Sequence, residues 1–459
     1  MEIGLSSRST LKRLFRLGRV RTRKRIVLIT PPSSAAPTFT RPNTTDVRSV
    51  NAPPIPMLPL GVAYVASSLG RAGFEPRIVD LSFSIQERLN VNAVAKAVLD
   101  HEPDAVGISS FTSTVSSAFR VSEAIKKEDG LVPIVLGGPH ATALPRETLA
   151  ECSALDGVIV GEGEQAFQEY LALLHCKTTP HTSTSPKGFV YRNGKELVGS
   201  AVPSYIEDLD ALPFPARNLF DLKKYAAYSA SLVAKRFPVA SIATSRGCPH
   251  ACVFCSRTSG GNRFRSRSPA NVISELEKLK EMGFREFQVV DDDFTHDRQR
   301  VLEICRLMGE RKLDLSWNLL GGVRADEVDQ QLLAAMYSAG CYSIHFGMES
   351  GDDSILKHVG KGITINQVKD AVHAAKKIGY HVTLYVIIGL PGSTLESEKR
   401  TLGLIKEIGS DVTRASICTP YPGSRLWEME KDNLHGITWE RFNESVISNP
   451  IYLRTGLQQ

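Results

Sequence analysis

Short apolar, β-branched runs alternate with longer stretches of helical period from residue 25 onward. Arg25-Ile26-Val27-Leu28-Ile29-Thr30, closed by Pro31-Pro32, has the composition of a buried strand. Similar runs at 76–80, 105–110, 134–136 and 157–160 predict four more strands. Helical spacing predicts helices over 60–73, 91–99, 116–127, 145–151 and 164–174. Strands that alternate with helices form a parallel, doubly wound (Rossmann-like) sheet, which binds ligands beyond the carboxyl ends of its strands. Those ends read Ser109-Ser110-Phe111-Thr112-Ser113, Gly137-Gly138-Pro139-His140 and Gly161-Glu162-Gly163-Glu164. Their small residues let a large flat ligand approach the backbone. The Pro-, Ser- and Thr-rich loop from 31 to about 59 is long for a compact domain and reads as functional.

The pattern changes at 186–237, which reads as a connector. Gly188–Tyr191 and Glu196–Val198 flank Arg192-Asn193-Gly194-Lys195, a hairpin signal, and the polar, proline-broken Leu209–Arg217 stretch follows. Beyond it six strands are expected, at 239–244, 286–290, 315–319, 342–347, 381–388 and 413–419. A helical stretch follows each of the first five. One helix is expected to be capped by Ser268, with Pro269 at its first position and a stop at Gly283. Repeated βα units predict a six-stranded partial TIM-type barrel with its chemistry at the carboxyl ends of the strands. The expected organisation is a basic tail (1–24), an α/β domain (25–185), the connector (186–237), the barrel (238–430) and a short C-terminal segment (431–459).

Composition refines this picture. The chain's 459 residues exceed one core, and its 42% hydrophobic and 23% charged content is that of a soluble globular protein. The net charge of +6 is misleading: nine basic residues and one acidic residue within 1–25 leave about −2 for the rest. A folded part that is not basic argues against an extensive nucleic-acid surface. Leu11, Leu14, Phe15 and Leu17 recur at helical spacing in the basic segment. It reads as a solvated tail or, alternatively, as a segment lying on an anionic membrane surface. No apolar run is long enough to span a bilayer, and no secretory apolar core is present. The expected place is the cytoplasm, with peripheral contact at the inner membrane face as the alternative.

Chemistry concentrates in one loop. Cys248-Pro-His-Ala-Cys252-Val-Phe-Cys255, entered through Ser245-Arg246-Gly247, holds three of eight cysteines at Cys-x3-Cys-x2-Cys spacing. Thiolates this close cannot all pair as disulfides, but they can wrap an iron–sulfur cluster. Three protein ligands leave a fourth iron open for chemistry. The loop follows the first barrel strand, so it is expected at the barrel mouth. There it joins Asp291-Asp292-Asp293-Phe294, Met348-Glu349-Ser350-Gly351, Gly389-Leu390-Pro391-Gly392 and Pro420-Tyr421-Pro422-Gly423.

The cysteine loop, with Phe254 before its third cysteine, resembles the cluster motif of the radical S-adenosylmethionine (SAM) enzymes. The strand ends Asp291–Phe294, Val323–Asp326, Gly347–Gly351 and Gly389–Gly392, with Gly137–His140 and Gly161–Glu164, resemble the subgroup carrying an N-terminal cobalamin (B12)-binding domain. The likeness covers roughly residues 26–430. It implies that Cys248, Cys252 and Cys255 ligate a 4Fe–4S cluster whose open iron chelates SAM. It assigns Phe254, Asp291, Asp292, Arg324, Glu349, Ile387 and Gly389 to the SAM site. Ser109, Ser110, Thr112, Gly137, Gly138, His140, Gly161, Glu162 and Gly163 are assigned to cobalamin. The Asp-x-His-x-x-Gly signature of many cobalamin domains is absent, which implies cobalt without a histidine ligand.

The implied reaction is reductive cleavage of SAM to a 5′-deoxyadenosyl radical that takes hydrogen from a small-molecule or lipid substrate. Methyl transfer from methylcobalamin to carbon would follow. A reductant protein such as flavodoxin or ferredoxin would supply the electron. The alternatives are radical cyclisation or rearrangement without methyl transfer, and a non-catalytic cobalamin-binding sensor. An RNA-modifying methylthiotransferase would carry a second cysteine set in its N-terminal domain, where this chain has only Cys152 and Cys176. Other readings remain for individual residues: structural zinc with His250 as fourth ligand, magnesium at 291–293, and packing roles for Cys305, Cys341 and Cys418. His140 could bond only backbone, and Glu162 and Glu164 could cap a helix.

Overall fold

Two sheets, one mixed and one wholly parallel, organise the chain. The structure, a computed structural model, describes residues 24–30, 32, 57–84, 88–176, 187–229, 234–258, 260–442 and 451–452. Residues 1–23 and most of the loop 31–59 lie outside these, and so do the tail and functional-loop readings. Among the described residues no helix is long and apolar enough to cross a membrane.

The first sheet has the order β2-β1-β3-β4-β5-β6-β7. Strands β1 (Lys24–Thr30), β2 (Phe74–Asp80), β3 (Ala105–Ser109), β4 (Ile134–Gly137) and β5 (Gly157–Ile159) are parallel. Order reverses beside β1, which is the switch expected of a doubly wound sheet. Ile26, Val27, Leu28 and Ile29 are all buried because helices cover both faces. The hairpin does not stand apart in the connector. Its strands β6 (Phe189–Asn193) and β7 (Glu196–Ser200) extend the first sheet antiparallel, with Phe189 opposite Ile159. Burial of Phe189 and Val190 against the sheet explains the choice.

The second sheet runs β15-β14-β13-β12-β11-β8, all parallel and in chain order, as a partial barrel requires. Its strands are β8 (Val239–Ile242), β11 (Glu286–Val289), β12 (Ser316–Val323), β13 (Cys341–Glu349), β14 (His381–Ile388) and β15 (Val412–Ile417). Between β8 and β11, the two-residue strands β9 (Ser245–Arg246) and β10 (Arg265–Ser266) pair antiparallel. This ribbon closes the base of the cysteine loop. The helix Pro269–Glu281 starts as expected: Ser268 Oγ accepts from Asn271 N at 3.2 Å. Cys305, Cys341 and Cys418 are buried, consistent with packing roles.

The connector binds the two sheets. Tyr225 Oη donates to Asp80 at the end of β2 (2.7 Å), and Arg217 pairs with buried Glu275 of the barrel (2.6 Å).

Candidate active site

The cysteine loop is held open by backbone contacts. Gly247 enters it at φ +83°, a conformation that favours glycine, and a Cβ there would strike the carbonyls of Arg263 and Gly260. Cys248 N donates to Gly261 O (3.3 Å), Val253 N to Val359 O (2.9 Å) and Leu426 N to Val253 O (2.8 Å). Cys248 and Cys252 are half-buried and Cys255 is exposed; all three are free thiols. Burial, with Asp293, Cys255 and Asp292 adding negative charge, pushes the Cys248 thiol up to about 12, and burial also raises Cys252. A positively charged metal centre would reverse that balance and hold them as thiolates.

Asp291 was expected to face SAM. It is instead buried, and its oxygens accept from Thr244 N, Thr244 Oγ1 and Ser245 Oγ, each at 2.6 Å. The residue fixes the entry to the loop. Asp291→Asn would replace an acceptor with a donor facing two hydroxyls, costing about 1–3 kcal/mol. Iron content after anaerobic reconstitution should fall in this variant, and wild-type loading would refute the anchoring role. Asp292 is exposed, and its Oδ2 accepts from Gly247 N at 3.1 Å.

Further round the mouth, Arg324 is bidentate on Asp326 (3.0 and 2.9 Å) and donates to Lys361 O (2.7 Å). Lys361 Nζ pairs with Glu349 Oε1 at 2.8 Å. Glu349 sits at φ +65° beside a register shift, and a Cβ on Gly347 would meet Glu349 Oε1 at 2.6 Å. Arg324, Lys361 and Glu349 thus form one buried chain. Lys361 was not singled out in the sequence; its signal is a lysine between Gly360 and Gly362, at φ +69° and +73°. Phe254 and Ile387 pack in one apolar cluster with Leu390 and Cys418. Gly389 N donates to Glu398 Oε1 at 3.0 Å.

At the carboxyl edge of the first sheet, Ser109, Gly137, Gly138, Gly161 and Gly163 are half-exposed. Ser110, Thr112, His140 and Glu162 are buried. His140 does not face outward: its ring lies edge-on to Trp439 (4.8 Å) and its Nδ1 is 3.3 Å from Thr112 Oγ1. Burial lowers its pKa to about 4, so it stays neutral. Trp439, which the sequence did not single out, is anchored by Glu151 at 2.9 Å.

Glu162 immediately precedes the helix Gly163–Cys176 and is buried, with its carboxylate turned to two arginines. Its carboxylate is bidentate on Arg265 (2.9 and 2.8 Å) and lies 3.2 Å from Arg246, while Glu164 pairs with Arg246 at 2.7 Å. These pairs press the sheet edge against the ribbon that carries the cysteine loop.

A sequence profile described as the Radical SAM superfamily matches residues 242–405, and one for the B12 binding domain matches residues 52–171. An uncharacterized methyltransferase of Pyrococcus horikoshii is 35% identical over 388 residues, covering 84% of this chain and 81% of its own. The chain belongs to the radical SAM superfamily, in the group with a B12-binding domain. An anaerobic magnesium-protoporphyrin IX monomethyl ester cyclase of Rubrivivax gelatinosus is 28% identical, covering 84% of this chain and 68% of its own. The radical SAM methyltransferase TsrM of Kitasatospora setae shares the fold, with TM-score 0.70 and 17% identity over 90% of this chain and 79% of that one.

A radical SAM enzyme of this group uses a 4Fe–4S cluster, SAM and cobalamin, together with an electron donor and a small-molecule substrate. The residues present suit those groups. Three free thiols occupy a loop at the barrel mouth, the donor set of an Fe–S centre. The sheet edge carries a buried hydroxyl without a hydrogen-bond partner, Ser110 Oγ, and a Phe111 ring that is 61% exposed. An outward phenyl ring at a ligand edge suits a large flat partner.

Proposed function

We propose that this radical SAM enzyme methylates carbon in a small-molecule substrate. The observation that carries the reading is the Glu162–Arg265 and Glu164–Arg246 clamp, which fixes the carboxyl edge of the B12-binding sheet against the cysteine loop. When bound, the cluster supplies the electron that cleaves SAM, and cobalamin supplies the methyl group. The chain's own residues hold and shield these groups. Cys248, Cys252 and Cys255 would be the cluster ligands. Asp292 would accept from the SAM ammonium, having an exposed carboxylate beside the loop entry. Arg324, Lys361 and Glu349 would set the far side, where Glu349 would accept from ribose hydroxyls. Phe254, Ile387 and Gly389 would border the adenine. Ser109, Gly137, Gly138, Gly161 and Gly163 would line the corrin. Phe111, exposed at the same edge, would cover one corrin face.

Phe111→Ala should weaken cobalamin retention roughly 10- to 150-fold, the worth of about 1.5–3 kcal/mol of buried phenyl surface. Equilibrium dialysis with hydroxocobalamin reads this, and unchanged retention would remove Phe111 from the site. The likeness to the cyclase favours a second reading, radical ring formation without methyl transfer. Reduced protein loaded with cobalamin and given SAM separates the two. S-adenosylhomocysteine formed in step with methylcobalamin supports methylation. If 5′-deoxyadenosine forms without either, the cyclisation reading replaces it.

A further inference from the structure

Where the cysteine loop presents His250, four side chains converge that the cofactor sites do not use. His250 Nε2 lies 2.9 Å from Glu327 Oε1 and 3.3 Å from Asp293 Oδ2. His296 Nδ1 lies 3.1 Å from the same Glu327 oxygen and 3.9 Å from the same Asp293 oxygen. The four donor atoms all fall within 4.8 Å of one another. A tetrahedral ion bound at about 2.0–2.1 Å holds its ligand atoms about 3.3–3.4 Å apart. The four measured edges, from 2.9 to 3.9 Å, straddle that value.

The donor chemistry fits the same ion. Asp293 is 2% exposed, and Glu327 is partly buried next to it. One oxygen from each carboxylate faces both imidazole nitrogens. The nearby guanidinium of Arg324 is bonded to Asp326 and to Lys361 O. The imidazoles are ordinary metal ligands, and a pair of imidazoles with two carboxylates suits a divalent first-row ion.

We propose that His250, Asp293, His296 and Glu327 bind one zinc-like divalent ion, separate from the iron–sulfur centre. The ion would staple the cysteine loop, through His250, to the ends of β11 and β12. It would stand beside Cys248, whose Sγ is 3.7 Å from Asp293 Oδ2. The site rests on these four side chains alone, not on the cofactor assignments.

The test uses full-length protein reconstituted with iron and sulfide and then given one equivalent of zinc. Elemental analysis should find about one zinc per chain. Zinc K-edge absorption should show nitrogen and oxygen near 2.0–2.1 Å and no sulfur near 2.3 Å. His296→Ala and Glu327→Gln should each lower zinc occupancy roughly tenfold or more while cluster absorbance persists. His296 is exposed on one side, so its variant tests binding without a core defect. No zinc uptake, a sulfur shell around the zinc, or full occupancy in both variants would overturn the proposal. Loss of the cluster in the Cys255→Ala variant, with zinc retained, would leave it standing.

Discussion

Replacing any one of Cys248, Cys252 or Cys255 with alanine should lower 5′-deoxyadenosine formation by roughly a thousandfold or more, to the level of the protein-free control. The three thiols are the only cysteines of the described residues at the barrel mouth that are not fully buried. Each removal leaves an iron without its protein ligand, so the centre either loses that iron or fails to assemble. Cys418→Ala is the matched control. Cys418 lies in the same region but is 1% exposed and packs against Leu390 and Leu426, so its loss should leave iron content unchanged. Measuring iron, sulfide and 5′-deoxyadenosine in the four variants separates ligation from packing. A Cys255→Ala protein that still made 5′-deoxyadenosine at the wild-type rate would refute the cluster assignment.

Glu162→Ala should cost about 3–5 kcal/mol, because it strands the buried Arg265 guanidinium without its partner. The Glu162 and Arg265 side chains are 3% and 4% exposed, so solvent would do little to compensate. The first thermal transition should drop by roughly 6–20 °C. Cobalamin retention should fall with it, since the sheet edge would no longer be pressed against the cysteine ribbon. Replacing both partners by Met should recover most of the stability, because a buried pair exchanged for packed apolar side chains is close to neutral. A shift under about 2 °C in the single variant would show that the clamp does not hold the two sheets together.

The periodicity of the chain carried the architecture well. A strand run such as Ile26–Ile29 is apolar because both faces of a parallel sheet are covered, so its burial is written locally. The cysteine spacing was legible for the same reason, since all three thiols lie within eight residues of chain. What local pattern could not show was which polar residue meets which. Glu162 sits in a Gly-Glu-Gly-Glu turn that suggests a ligand edge, yet its partner Arg265 lies 103 residues away. Asp291 and Asp292 look alike in sequence, but one is buried under Thr244 and Ser245 and the other faces solvent. The two-residue strands β9 and β10 are too short to carry an alternation pattern. The hairpin's turn was readable, but its attachment to β5 depended on the burial of Phe189. Trp439 and His140 are paired only by the packing of the C-terminal turn Trp439–Arg441 on the first domain.

In the proposed function, Cys248, Cys252 and Cys255 would hold a cluster with one iron left open for SAM. Electron paramagnetic resonance of the reduced, reconstituted protein, recorded with and without SAM, tests it most directly. SAM that binds the open iron should change the g values of the reduced 4Fe–4S signal. A 4Fe–4S signal that is identical with and without saturating SAM would contradict an open iron at this loop.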